Sequence, residues 1–327
     1  MKKLITLVLA LAMVLSLAAC GGSKDGSTEG TKKSDYPKYA ITVVTSKSGS
    51  AVDNNCRALT QYLGEKLGVN IVVSNASGQN EALREVMNAD KDGYTIWFGN
   101  TSPLINDAVG DSDFNVVEDF DMIASVSKGA GQVVSMKKTR AEELGIKNFQ
   151  DLINYCEAHP EELKISSQPN NSTGAAVTCL MDGGLKVTTV NVGETGERIT
   201  AVLAGNIDMC VTNYAAVEQY REAGDLVILV SCGPDANPFA KDVPASGDYG
   251  MTEDFAPCYY LCGPKGMPAD VIEVLETAIK EITESAAYGE SLATNAQLVG
   301  YRNHTELATF LANQKKLLSE HEVIGMK

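Results

Sequence analysis

A chain of 327 residues with 44% apolar and only 6% aromatic content is long enough for two α/β domains, each with its own core. Its formal charge of −15 at pH 7 argues against nucleic acid and against an anionic membrane surface as partners.

Residues 1–19 read as a signal peptide: Lys2 and Lys3, an apolar stretch over 4–17, then Ala18 and Ala19 at a cleavage position. Cys20, directly after Leu17-Ala18-Ala19 and before Gly21-Gly22, resembles the lipobox of bacterial lipoproteins, in which the thiol is lipid-modified and becomes the new N-terminus. That modification adds more than one acyl chain, which a stable anchor requires. The alternative is an ordinary secretory signal with an incidental Cys20. Residues 20–35 contain only Gly, Ser, Thr, Lys, Asp and Glu behind the cysteine and are expected to be a flexible linker. The expected location is extracytoplasmic, lipid-anchored to the outer face of the cell membrane or to the periplasmic side in a two-membrane cell. No second apolar run of membrane-spanning length follows.

The β-branched run Ile41–Thr45 predicts a strand, and Cys56, Leu59, Leu63 and Leu67 fall on one face of a helix over 53–67. A strand over 70–74, a helix over 81–88 and a strand over 94–99, introduced by Asp92-Gly93, complete a βαβαβ unit and hence a mostly parallel sheet. Asn148 caps a helix carrying Phe149, Leu152, Ile153 and Cys156, stopped by Pro160. The unit then recurs: strand 163–166, polar loop 167–171, helix 172–181 ended by Gly183-Gly184, strand 187–192, helix 197–204 and strand 207–212. A last strand over 258–262 precedes helices over 269–285 and 305–318. Two such series imply two α/β lobes, with a ligand expected where strand ends and helix N-termini of both face a shared cleft.

Four strand-to-helix loops are the candidate binding elements. The loop 46–53 presents Ser48, Gly49 and Ser50, small residues that leave backbone N–H groups open to a carboxylate, with Asp53 as helix cap. The loop 166–174 is dense in hydroxyls and amides; Ser172 or Thr173 is expected to cap the helix while Ser167 and neighbouring N–H groups meet a ligand oxygen. Asn100 and Thr101, and Thr195 and Gly196, occupy equivalent positions after other strands. Each loop is also explained as a solvated capping turn, and their recurrence at one end of two sheets is what favours binding.

Signals for catalysis are thin. His159, His304 and His321 are the only histidines, and none has a second His or Cys at metal-ligand spacing, so neither a metal nor a cofactor is expected. Ser125-Val126-Ser127-Lys128 matches Ser-x-x-Lys formally but lacks the partner motifs of penicillin-recognising enzymes. With Cys20 lipidated, seven cysteines remain; that odd number excludes a complete internal disulfide framework, and most are expected to be small core residues.

Tyr36-Pro37, Ile41-Thr42-Val43-Val44, Asp53, Arg57, Asn75, Asp92-Gly93-Tyr94-Thr95, Leu203-Ala204-Gly205-Asn206-Ile207-Asp208-Met209 and Asn213, in that order and spacing, resemble the solute-binding proteins of tripartite tricarboxylate transporters, the TctC or Bug family. The resemblance implies a two-lobed, periplasmic-binding-protein-like (Venus flytrap) fold. Lobe 1 would comprise 36–137 plus 258–327, and lobe 2 the insertion 138–257. It implies that loop 46–53 stands where the family has a Gly-rich ligand loop, opposed by Ser167, Ser172 and Thr173. Two departures concern the ligand. The run of glycines is reduced to Gly49 in a loop one residue shorter, and the family's Pro-Tyr-Lys-Gly is replaced by Asn191-Val192-Gly193-Glu194, losing an aromatic and a cation. Lys47 is then the only cation in the four loops, so backbone amides and hydroxyls are the expected carboxylate ligands, or the ligand carries low net charge.

The reading is a monomeric extracytoplasmic receptor that captures a small carboxylate or amino-acid-like solute and delivers it to membrane permease subunits, with no nucleic acid partner. A sensor that presents the solute to a membrane protein is the alternative, and a secreted enzyme a less favoured one.

Overall fold

The computed structural model describes residues 35–168, 171–251, 256–294 and 296–320; the expected signal peptide, Cys20 and the linker up to residue 34 lie outside these. The first βαβαβ unit follows the sequence pattern. β1 (Ile41–Thr45) pairs in parallel with β2 (Ile71–Asn75) on one side and β3 (Thr95–Asn100) on the other. Parallel neighbours need crossovers, supplied by α1 (Ala51–Leu67) and α2 (Gln79–Met87). On α1, Cys56, Leu59 and Leu63 are fully buried against this sheet, each aliphatic side chain contributing roughly 1.5–3 kcal/mol. The Ser50 hydroxyl accepts from Asp53 N–H at its start, and Gly68 in the left-handed region ends it.

The sheets are mixed, which corrects the expectation of mostly parallel ones. In the first, with order β11-β4-β10-β3-β1-β2, β10 (Cys258–Pro264) lies antiparallel between β3 and β4 (Phe120–Gly129), and β11 (Gln297–Arg302) pairs antiparallel with β4. The second has order β7-β6-β8-β5-β9. Here β6 (Lys164–Ser167) is parallel to β7 (Thr188–Asn191) and β8 (Met209–Asn213), whereas β5 (Gln132–Lys137) is antiparallel to both β8 and β9 (Leu226–Cys232). In each lobe the reversed inner strand, β5 or β10, is the one that has just arrived from the other lobe. Local periodicity reports βαβ units but carries no record of where a strand came from.

Because β5 belongs to the second sheet, the chain crosses before Gln132, not after Lys137 as expected. The crossing and the return lie side by side, with Gly129 N–H donating to the Pro257 carbonyl at 2.8 Å.

The second lobe adds α4 (Lys138–Leu144), α5 (Phe149–Ala158), α6 (Ser172–Asp182), α7 (Thr195–Ala204) and α8 (Tyr214–Glu222). The first lobe carries the short α3 (Ser102–Ala108), then α9 (Ala269–Thr283), α10 (Ala286–Ala293) and α11 (His304–Glu320). The expected helix over 269–285 stops at Thr283 because the Ser285 hydroxyl caps α10, accepting from Tyr288 N–H. One apolar cluster joins the lobes: Ile105 of α3 and Leu318 of α11 meet Ala175 and Cys179 of α6. Cys56, Cys156, Cys210 and Cys262 are buried free thiols, and burial raises the pKa of Cys56 to about 12 and of Cys156 to about 11. Among the described residues no helix is long and apolar enough to cross a membrane.

Candidate binding cleft

Between the lobes lies a cleft of about 440 Å³, within the roughly 300–1,000 Å³ of small-molecule sites. Helix N-termini come to it from both lobes. Ala51 of α1 and Ser102 of α3 line it from the first, and Ser172 of α6, Thr195 of α7 and Tyr214 of α8 from the second. Each helix start carries unpaired N–H groups and the positive end of the helix dipole. The crossing segments 129–132 and Pro257 form one wall. A depression of about 500 Å³ beside Thr60, Gln61 and Val69 is more open and gathers no helix ends.

The four expected loops divide at this cleft. Asn100, Ser172, Thr173 and Thr195 line it; Ser48, Gly49, Ser50, Asp53, Thr101, Ser167 and Gly196 do not. The loop before α1 is spent on itself. The Asp53 carboxylate, 2% exposed, accepts from Gly49 N–H at 2.9 Å, from the Asn75 amide at 2.8 Å and from Arg57 Nε at 3.1 Å. Burial alone would raise its pKa, but these donors outweigh burial and hold it below the usual carboxylate value. Gly49 serves the turn: its φ is 78°, and no atom lies within 4 Å of where a Cβ would stand. Lobe 1 reaches the cleft through Ala51 at the start of α1 and, one turn later, through Asn54 and the buried Asn55.

Asn100 is held from behind. Gln79 donates to its Oδ1 at 2.9 Å and accepts its backbone N–H at 2.8 Å, and Ser102 N–H donates to the same Oδ1 at 3.0 Å, while its side chain also hydrogen-bonds to the Tyr259 phenol, so Asn100 is held in place at the cleft wall. This reach depends on Gly99, where a Cβ would stand 2.6 Å from Gln79 Oε1 and closer still to the Trp97 ring.

In lobe 2 the cap of α6 is Asn171, not Ser172 or Thr173: its side chain accepts from Thr173 N–H at 2.9 Å. The Thr173 hydroxyl donates to that Asn171 oxygen and accepts from Gln168 N–H, so it braces the loop. The Ser172 hydroxyl accepts from Gln132 Nε2 at 3.0 Å, tying α6 to the crossing strand. At the other end, Tyr259 of β10 lines the cleft at 3% exposure, and burial raises its phenol pKa.

Residues that sequence reasoning missed include Gln132, Tyr259, Gln297 and Arg198. Arg198 adds to the cleft wall a cation from beyond the four loops, within which Lys47 is the only one. It lies just inside α7, 2% exposed, and shares a helical face with the buried Val202 four residues on. A cation on an apolar helix face was the readable signal. Gln132 Oε1, Gln297 Oε1 and Arg198 Nε are buried without hydrogen-bond partners.

The described residues hold no cluster of metal-ligating side chains. His159 pairs with Glu162 and His304 with Glu276 at half-exposed surface positions, and Ser125 donates to the Gly300 carbonyl. His321 lies outside the described residues.

Residues 56–324 match the family described as Tripartite tricarboxylate transporter family receptor, TctC. Protein BugT of Bordetella pertussis is 24% identical over 290 residues, covering 85% of this chain and 87% of BugT. Two solved structures share the fold. A TctC solute-binding protein from Polaromonas, solved with no ligand, superposes with a TM-score of 0.74 at 17% identity, covering 87% of this chain and 98% of that one. MatC from Rhodopseudomonas palustris, with bound malate, gives 0.69 at 19% identity, covering 87% and 99%. With most of its length matched by the family model and two mixed sheets flanked by helices, the chain belongs to the TctC family of solute-binding receptors.

Proposed function

We propose that this receptor captures a small carboxylate-containing metabolite in the inter-lobe cleft and delivers it to a tripartite tricarboxylate-type permease. The observation that carries this reading is the convergence of helix N-termini from both lobes on one cleft. Such ends bind anions through free N–H groups and local positive potential. They act at contact range, whereas the repulsion from a chain of charge −15 is screened beyond about 8 Å at physiological salt. The malate bound to MatC supports the same ligand class. Asn55, Asn100, Ser172 and Thr195 are the residues assigned to the solute, and the paired crossings at Gly129 and Pro257 are assigned the hinge about which the lobes close.

Lipid on Cys20 would hold the receptor at the membrane, with residues 21–35 as tether. A Cys20→Ala protein recovered still bound to membranes would sink that part of the reading.

Thermal unfolding against malate, succinate, adipate, citrate, aspartate and glutamate, with sugars and diamides as neutral controls, tests the ligand class. An acid at 100 times its Kd should add about 2.7 kcal/mol of stability. Stabilisation by neutral solutes alone would overturn it. Delivery is tested by reconstituted uptake, which should need this protein together with the permease subunits.

A further inference from the structure

Arg198 is a buried cation with no buried anion. Its Nη1 donates to the Gly193 carbonyl at 2.6 Å and its Nη2 to the Thr195 hydroxyl at 3.0 Å, while Nε has no partner. Both of these partners are neutral. The other arginines behave differently: Arg57, Arg84, Arg140 and Arg221 each hold a carboxylate, and Arg302 lies over the Phe310 ring. All of these are more exposed than Arg198, which is the only arginine among the fully buried side chains. Burying a charge without a counter-charge is strongly unfavourable, and burial does lower the Arg198 pKa from its ordinary value. Cys210 and the exposed Glu194 and Glu197 on the same turn offset this only in part; Glu194 also lines the cleft, and the Glu197 carboxylate accepts the Glu194 N–H.

A buried cation that lacks a contacting carboxylate and lines the cleft can find its counter-charge in the ligand. We propose that Arg198 is a specificity-determining residue whose counter-charge is an acidic group of the captured solute. The proposal rests on the reading of the cleft as a carboxylate site. The two bonds to Gly193 and Thr195 fix the plane of the guanidinium, so its remaining donors meet a carboxylate in one orientation. In the empty protein the charge is only partly compensated, by exposed acids; in the loaded protein it selects acids over amides of the same shape.

Arg198→Met and Arg198→Lys, measured beside the wild type, test this with and without solute. Without solute, Arg198→Met should melt at or above the wild type, because a buried ion is replaced by an apolar chain and the exposed Gly193 carbonyl returns to water. The Kd for those of malate, succinate, adipate and citrate that bind the wild type should rise at least about ten-fold in Arg198→Met. Arg198→Lys, which keeps the charge and loses the fork, should fall between. Acid affinities within three-fold of wild type in Arg198→Met, or a solute-free melting point several degrees lower, would make Arg198 a loop clamp and overturn the proposal. A wild type that responds to neutral solutes and to none of the acids would bring down the carboxylate reading and this proposal with it; loss confined to the variant would leave that reading standing.

Discussion

Two strand-to-helix corners, one in each lobe, bury a charged residue in the first turns of a helix, and they use it in opposite ways. At the start of α1, Asp53 is surrounded by Gly49 N–H, the Asn75 amide and Arg57, and nothing of its bonding capacity turns toward the cleft. At the start of α7, Arg198 has two neutral oxygens, an orphaned Nε and a place in the cleft wall. The contrast separates residues that build a binding site from residues that bind. A satisfied buried charge rigidifies a loop, and an unsatisfied one waits for a partner.

The comparison breaks most visibly at Asp53. Asp53→Ala removes a charge-assisted network and should cost about 3 kcal/mol in urea unfolding, far more than Arg198→Met, while changing solute affinity per folded molecule little. Acid sharpens the same point. A carboxyl held below its ordinary value stabilises the fold while ionised, above about pH 4, and that contribution drains away as pH falls through the lowered value. Asp53→Asn should therefore flatten the acid limb of the stability profile; an unchanged limb would show that other carboxylates dominate it. Gln79→Leu, outside the cleft lining, should weaken solute binding about five-fold, near 1 kcal/mol, by releasing Asn100. Gly49→Ala should cost about 1 kcal/mol of stability from its left-handed φ. Smallest is Ser48→Ala, within about 0.5 kcal/mol and without effect on binding; a large loss of affinity there would return the loop before α1 to the binding site.

Much of the fold was legible because its signals are local. Cys56, Leu59 and Leu63 repeat at helical spacing, β1 is a continuous β-branched run, and the βαβ recurrence in both lobes follows from alternating such segments. What was missed has few local cues. The α3 helix is seven residues long. The strand β9 and the helix α8 sit in a stretch whose apolar residues fit either period, and the break at Ser285 is a cap inside an otherwise continuous helical pattern. Of the residues that line the cleft, Asn100, Ser172, Thr173 and Thr195 were legible because cleft-facing loops follow strands. Ser48, Gly49 and Ser50 do not line the cleft: a loop that opens N–H groups to a ligand and one that, as at Gly49, gives an N–H to its own Asp53 have the same composition.

The sequence by itself determined the family, the two α/β series and the general end of the sheets at which a ligand would sit, since these depend on hydrophobic period, turn residues and order along the chain. Tertiary structure alone decided that β5 and β10 run against their neighbours, that the crossings pair at Gly129 and Pro257, and that Asp53 is satisfied while Arg198 is not. The physical reason is that a side chain's role depends on which partners reach it. Asn75 reaches Asp53 from 22 residues away, whereas Arg198 Nε is left without a hydrogen-bond partner.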